Sequence, residues 1–173
     1  ALLRADYGFA LDSSGPVGEI VNAAPYQCAI EVKVYGKAAH AGVNPEDGIS
    51  AIQVASRAIA RMPLGRIDRE TTANIGSFHG GRQTNIVCDC VEIRAEARSL
   101  DRAKLDRQVR AMREAFEEAA AAHGATVDFH DRLKYPGYRL ADDHPVVALA
   151  ERAVRRIGRT PKTRPSGGGS DAN

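Results

Sequence analysis

The order in which strand and helix patterns follow one another constrains this chain most. Residues 28–36 alternate between apolar and polar side chains, which is typical of a half-buried strand in an antiparallel sheet. Residues 44–62 carry apolar side chains at helical spacing. Asn44 followed by Pro45 predicts the start of this helix, and Pro63 predicts its end.

A second set of patterns completes the unit. Residues 71–78 predict a strand, and residues 84–98 predict a longer strand whose apolar phase shifts in its middle, which a bulge or two staggered segments would explain. A helix capped by Asp101 and stopped by Gly124 follows, and then a strand over residues 125–133. The order β-α-β-β-α-β predicts an α+β fold of the ferredoxin-like type, in which a four-stranded antiparallel sheet carries two helices on one face. We expect the other face to be polar or covered.

Both ends of the chain lie outside this unit. Residues 7–12 predict a short strand that ends in Asp12, and residues 144–157 predict a helix. The chain starts at Ala1 rather than at a methionine, and it stops in a glycine-rich loop at Asn173. We therefore expect it to be an excerpt of a longer protein.

Composition and charge exclude several classes of function. The net charge of +2 gives no electrostatic argument for a nucleic acid or an anionic membrane as partner. No apolar run approaches the roughly 18 residues that a membrane span needs. The three cysteines are too few, and odd in number, for a disulfide framework, so we expect a cytoplasmic protein.

Taken alone, the residues offer no complete catalytic site, and His40 is the strongest candidate. It lies between small residues, directly ahead of the first predicted helix, so its imidazole should be accessible. Gly42 provides the backbone freedom that a tight loop needs. An isolated loop histidine is more often structural or merely exposed, so the residues alone leave the role of His40 open. Asp12 is equally open, because it could simply cap the turn that follows it.

Residues 36–48, GKAAHAGVNPEDG, resemble the lid motif of the peptidase T family. This family comprises tripeptide aminopeptidases of the two-metal aminoacylase and carboxypeptidase-G group. Further matches follow in the family's order: ALD at 10–12 with GPVGE at 15–19, GG at 80–81 with TNIV at 84–87, EARS at 96–99, and SGGGSDAN at 166–173. Together they cover nearly the whole chain.

The resemblance implies a division of labour between domains. Such enzymes have a catalytic α/β domain that holds two zinc ions, and a ferredoxin-like lid inserted into it that also dimerises. Residues 25–133 would form the lid, and residues 1–24 and 134–173 would be short pieces of the catalytic domain. The parent protein would be a zinc-dependent exopeptidase that hydrolyses short peptides as a homodimer. This chain alone would hold too few ligands to bind zinc, and it would be inactive.

The resemblance also implies a role for individual residues. Asp12 matches a metal ligand, and His40 matches the lid histidine that stabilises the oxyanion in the active site of the partner subunit. The matched substrate-binding positions are Asn85, Arg98, Gly168, Gly169 and Ser170.

Two alternatives remain open at this point. One is a free-standing ferredoxin-like module that dimerises or binds a small ligand without catalysis. The other lies within the enzymes, because dipeptidases, carboxypeptidases and N-acyl-amino-acid deacylases share the lid. An H-x-D motif and a Glu-Glu pair upstream in the reading frame would favour an enzyme over the module.

Overall fold

The computed structural model describes residues 4–173, and within that range the strands form two sheets. The larger is a five-stranded antiparallel sheet with the spatial order β3-β4-β5-β2-β6, and the smaller is a three-stranded sheet with the order β7-β1-β8. The strands are β1 Glu19–Ala24, β2 Tyr26–Tyr35, β3 Gly65–Arg66, β4 Thr71–Gly80, β5 Cys90–Ser99, β6 Thr126–Tyr135, β7 Tyr138–Arg139 and β8 Lys162–Pro165. The helices are α1 Ala51–Arg61, α2 Arg102–Ala122 and α3 Pro145–Arg156.

The apolar face of the larger sheet packs against α1 and α2. In β2, the alternation predicted from the sequence places Ile30, Val32 and Val34 in the core, where each is at most 1% exposed. Phe116 of α2 is fully buried against this face. The intervening residues, such as Glu31, are exposed on the opposite face. The mixed α+β class is therefore confirmed, and the second sheet face is polar rather than covered by a helix.

The sheet differs from the predicted four strands in two respects. The two-residue strand β3 adds a fifth strand by pairing with β4 at the sheet edge. The smaller sheet was not predicted, because β7 is very short and β8 pairs in parallel with the distant strand β1. The prediction of a strand over residues 7–12 is wrong, since this segment is exposed and has no regular structure. Residues 1–3 of the predicted flank 1–24 lie outside the described residues.

The first helix begins later than its sequence pattern predicts. Asn44 and Pro45 open only a 3-10 turn at Pro45–Asp47, and the α-helix starts after Ser50, whose hydroxyl accepts a hydrogen bond from the Gln53 amide at 3.3 Å. Between turn and helix, Ile49 is drawn into an antiparallel bridge with Lys37. This long-range pairing overrides the local helix signal. No helix in the described range 4–173 is long and apolar enough to cross a membrane.

The second helix follows its sequence signals closely. The Asp101 carboxylate caps α2 by accepting a hydrogen bond from the Lys104 amide at 2.9 Å. Gly124 adopts a positive φ of 67° just beyond the helix end, a conformation that glycine adopts without strain. The strand predicted from residue 84 is regular only from Cys90 onward, and the residues before it pair irregularly with the loop that carries His40.

Candidate functional site

The loop that carries His40 is fixed by backbone hydrogen bonds to residues 85–89. The Val87 amide donates to the Ala39 carbonyl, and the Ala41 amide donates to the Asn85 carbonyl, both at 2.9 Å. These bonds extend the pairing of β2 and β5 beyond the regular sheet. They place Asn85 directly beside His40, away from Arg98 with which the resemblance grouped it as a substrate-binding residue, and both Asn85 and His40 are exposed. We refer to residues 36–42 and 85–89 as the His40 end of the sheet.

The hydrogen bonding of the His40 ring fixes which nitrogen can donate. The Gly42 amide donates to Nδ1 of His40 at 3.1 Å. Because a backbone amide can only donate, Nδ1 acts as an acceptor, and in the neutral ring the proton then resides on Nε2. Within residues 4–173, Nε2 has no hydrogen-bond partner. The exposed His40 ring therefore offers one N–H donor, at Nε2, to a bound ligand or partner.

Arg98 lies on the polar face of β5 and is held there by a neighbour on the same strand. Its Nε and Nη2 donate to the two carboxylate oxygens of Glu96 at 2.7 and 3.0 Å. Gln27 of β2 donates a further hydrogen bond to Glu96 at 2.5 Å. Glu96 thus binds the guanidinium edge formed by Nε and Nη2. The edge formed by Nη1 and Nη2 remains able to bind a second carboxylate.

The charge pair also shifts the ionisation of both groups. The hydrogen bond from Arg98 holds the pKa of Glu96 below its usual range, against the opposing effect of burial. The same hydrogen bond raises the pKa of Arg98. The pair is consequently fully ionised at neutral pH.

The glycine-rich loop at residues 166–170 lies at the end of the sheet where Arg98 is found. Tyr135 is close enough to Arg98 to act on it electrostatically, and the Tyr135 phenol packs so tightly on Gly169 that no Cβ would fit there. Burial, followed by the nearby negative charge of Asp12, raises the pKa of Tyr138. Tyr135 therefore links the glycine-rich loop to the surroundings of Arg98.

Asp12 reaches this cluster from the N-terminal segment. Its Oδ2 accepts a hydrogen bond from the Asp171 amide at 3.1 Å, and its side chain is exposed. Throughout residues 4–173, no group of three His, Cys, Asp or Glu side chains is placed to hold a metal ion. Within that range, Asp12 is therefore not part of a cluster of candidate metal ligands.

The residues singled out from the sequence fall into two groups at opposite ends of the larger sheet. His40 and Asn85 lie beyond the end where Tyr35 pairs with Cys90. Arg98 pairs with Gln27 at the other end, beside the two short linkers between the sheets, and we refer to it as the linker end. The strand from Cys90 to Arg98 spans about 26 Å at roughly 3.3 Å per residue. One chain therefore cannot bring both groups to one small ligand.

Sequence reasoning missed several residues that shape the linker end. Glu96 could have been found, because it precedes Arg98 by two positions and must share its sheet face. Gln27 and Tyr135 become neighbours of Arg98 only through the register of three strands, which no local pattern reveals. Asn173 was matched only as the last residue of SGGGSDAN, and nothing in the sequence indicated that its side chain bonds the loop and both linkers.

The sequence and the fold of this chain are similar to those of known peptidases. The sequence profile of the M20 peptidase dimerisation domain matches residues 25–124. The crystal structure of aminopeptidase PepT from Bacillus cereus superposes with a TM-score of 0.92 at 58% identity, covering 99% of this chain and 46% of that one. A tripeptidase from Staphylococcus aureus gives a TM-score of 0.93 at 46% identity, with coverages of 98% and 45%.

A curated relative extends the comparison. The Bacillus subtilis protein YqjE is 56% identical over all 173 residues, which make up 47% of its length. The chain thus spans about half the length of the relatives it matches. Since the profile match covers more than half of the residues, this chain belongs to the M20 peptidase dimerisation-domain family.

Proposed function

We propose that this chain is the lid and dimerisation portion of a zinc-dependent exopeptidase of the tripeptide aminopeptidase type, which hydrolyses short peptides. The observation that carries the proposal is the separation of the two groups of site residues. A donor at the His40 end cannot serve its own linker end, whereas a second copy of the chain can bring the two ends together. The similarity to the B. cereus aminopeptidase and the S. aureus tripeptidase supports the reaction class.

His40 acts on the partner subunit's substrate. Its Nε2 proton is available to a ligand because Nδ1 accepts the Gly42 amide and the side chain is exposed. When a peptide carbonyl is attacked, negative charge develops on its oxygen, and a preorganised N–H donor at that position contributes about 3–4 kcal/mol to catalysis. Asn85, fixed beside His40 by the Ala41 hydrogen bond, contacts the same substrate from the same side.

The linker end binds the substrate itself. The free edge of the Arg98 guanidinium matches the planar carboxylate at the C-terminus of a short peptide. Gly168, Gly169 and Ser170 line the substrate cleft, where glycine lets the backbone approach a ligand closely. Tyr135, packed on Gly169, joins this loop to the surface that presents Arg98.

Asp12 is the one residue of the chain that we assign to the metal centre. Two zinc ions need several more ligands than residues 4–173 bring together, so those ligands must come from other polypeptide. We therefore derive no catalytic step through the metal, and we expect the chain alone to be inactive. Its role is to position the partner-facing donor and part of the substrate cleft.

The same proposal sets the domain boundaries and the assembly. Residues 25–133 form the ferredoxin-like lid, and residues 1–24 and 134–173 belong to the catalytic domain. The protein forms homodimers through the lid, in keeping with the family to which it belongs. We place the enzyme in the cytoplasm, where the free thiols of Cys28, Cys88 and Cys90 remain reduced.

The substitution His40→Ala tests the proposal in the complete enzyme. We expect kcat for a free tripeptide to fall by about 10²- to 10³-fold because an oxyanion donor is lost, while metal content stays unchanged. His130→Ala is the matched control, since His130 is also exposed but lies on β6. Equal loss of metal and turnover would make His40 a ligand or a folding residue. A wild-type enzyme that hydrolyses no peptide would favour the non-catalytic module.

A further inference from the structure

The two linkers between the sheets run side by side. Pro25 alone connects β1 to β2, and Pro136 with Gly137 connects β6 to β7. A Cβ at Gly137 would lie 2.6 Å from the Tyr26 nitrogen and 2.8 Å from the Ala24 oxygen, so only glycine permits this approach. Both covalent connections between the sheets therefore lie at one junction, and a change in the angle between the sheets must deform that junction.

One side chain bonds both linkers at this junction. The Asn173 amide nitrogen donates to the Pro136 carbonyl at 2.8 Å and to the Pro25 carbonyl at 3.4 Å. A primary amide has two N–H donors in a fixed plane, which lets it serve two carbonyls at once. Proline has no N–H of its own, so each linker offers Asn173 an acceptor without a competing donor at that residue.

Asn173 also holds the glycine-rich loop. Its Oδ1 accepts a hydrogen bond from the Ser170 amide at 2.8 Å. The start of the loop is fastened separately, since the Ser166 amide donates to the Ala23 carbonyl at 2.8 Å. The start of the loop is thus bonded to β1, which precedes the Pro25 linker. The end of the loop is bonded to both linkers through Asn173.

We propose that Asn173 is a positioning residue that couples the glycine-rich loop to the junction between lid and catalytic segments. When the lid changes its angle, the two proline carbonyls move, and the loop moves with them. The coupling follows from the hydrogen bonds alone. Its consequence for substrate binding rests on the proposed function, in which this loop lines the cleft.

The chemistry of Asn173 allows two informative substitutions. Asn173→Ala removes both donors and the acceptor. Asn173→Asp is nearly isosteric, but it places carboxylate lone pairs against two carbonyl oxygens, which repels them. We therefore expect the aspartate variant to disturb the junction more than the alanine variant. Asn22→Ala is the matched control, because the Asn22 amide bonds Leu140 and Asp142 and does not reach the linkers.

Hydrogen–deuterium exchange in the complete enzyme tests the coupling without using activity. We expect Asn173→Ala to raise amide exchange about tenfold in peptides covering 23–27, 134–138 and 166–173 together, since local opening there becomes easier. Asn22→Ala should leave all three peptides unchanged. Unchanged exchange at either linker in Asn173→Ala, or exchange in Asn173→Asp no faster than in Asn173→Ala, overturns the inference.

Steady-state kinetics on a free tripeptide separate this inference from the proposed function. A loosened loop weakens substrate and transition state alike, so KM should rise several-fold while kcat stays within about twofold. Faster exchange with KM and kcat both unchanged would retain the coupling and refute the substrate role of the loop. Faster exchange with a lowered kcat and an unchanged KM would refute the positioning role.

Discussion

Gly48→Ala should displace the His40 loop without straining its own backbone. Gly48 has φ −95° and ψ 159°, which alanine adopts freely. The new Cβ, however, would lie 2.9 Å from the Ala39 Cβ and 3.1 Å from the Val87 Cβ. Ordinary carbon contacts are about 3.5–4.0 Å, so the two segments must separate by about 0.5–1 Å. Ala39 directly precedes His40, and its carbonyl bonds the Val87 amide that must give way.

Two magnitudes follow from this geometry. Overpacking of this kind costs about 1–3 kcal/mol in the free energy of unfolding. A catalytic group displaced by about 1 Å loses about 10²-fold in rate, so kcat for a tripeptide should fall by that factor in the complete enzyme. Urea denaturation and steady-state kinetics on the same preparations measure both quantities.

Gly76→Ala is the control for this prediction. The Cβ added there would meet nothing closer than the Arg94 oxygen at 3.5 Å, and the backbone has no positive φ. We expect Gly76→Ala to keep both stability and turnover. If Gly48→Ala lost stability but kept the turnover of Gly76→Ala, the position of His40 would not matter for catalysis and the reasoning would be refuted.

Three further predictions concern stability. Phe116→Ala should lower the free energy of unfolding by about 3–5 kcal/mol, because the ring is fully buried; a loss below about 1 kcal/mol in a urea titration would contradict the packing. Asp101→Ala should cost about 1 kcal/mol through the lost α2 cap, and an unchanged urea midpoint would count against that cap. Folding lowers the pKa of Glu96. The stabilisation that ionised Glu96 contributes to the folded state is therefore present above the ordinary pKa of 4.5, and it is lost as pH falls through the lowered pKa. Glu96→Gln should therefore flatten the decline in stability between about pH 5 and pH 3, and an unaltered decline would argue against the Arg98 pair.

Local signals in the sequence predicted the elements that local interactions determine. The α2 helix was predicted because its cap and its stop depend on nearby residues, Asp101 and Gly124. The core face of β2 was predicted because a strand alternates with a period of two. The start of α1 was predicted wrongly because Ile49 pairs with Lys37, a backbone pairing that the capping signals at Asn44 and Pro45 do not encode.

The candidate site shows the same limit. The exposure of His40 followed from its small neighbours, but the hydrogen bond that leaves the ring proton on Nε2 depends on the loop conformation. Arg98 was identified without its partners, because Gln27 reaches Glu96 only through the β2–β5 register. The separation of His40 from Arg98 likewise needed the sheet, since neither residue type nor spacing reveals which strand end a loop occupies.

Mixed dimers test most directly whether His40 serves the neighbouring subunit. His40→Ala and Arg98→Ala should each be nearly inactive as pure dimers of the complete enzyme. When the two variants are mixed under conditions that exchange subunits, each hybrid dimer contains one site with an intact Arg98 and the intact His40 of its partner. We predict recovery of about a quarter of wild-type tripeptide hydrolysis, since half of the dimers are hybrids and each has one complete site. No recovery, with subunit exchange verified by mass spectrometry, would show that His40 acts within its own chain and would contradict the account.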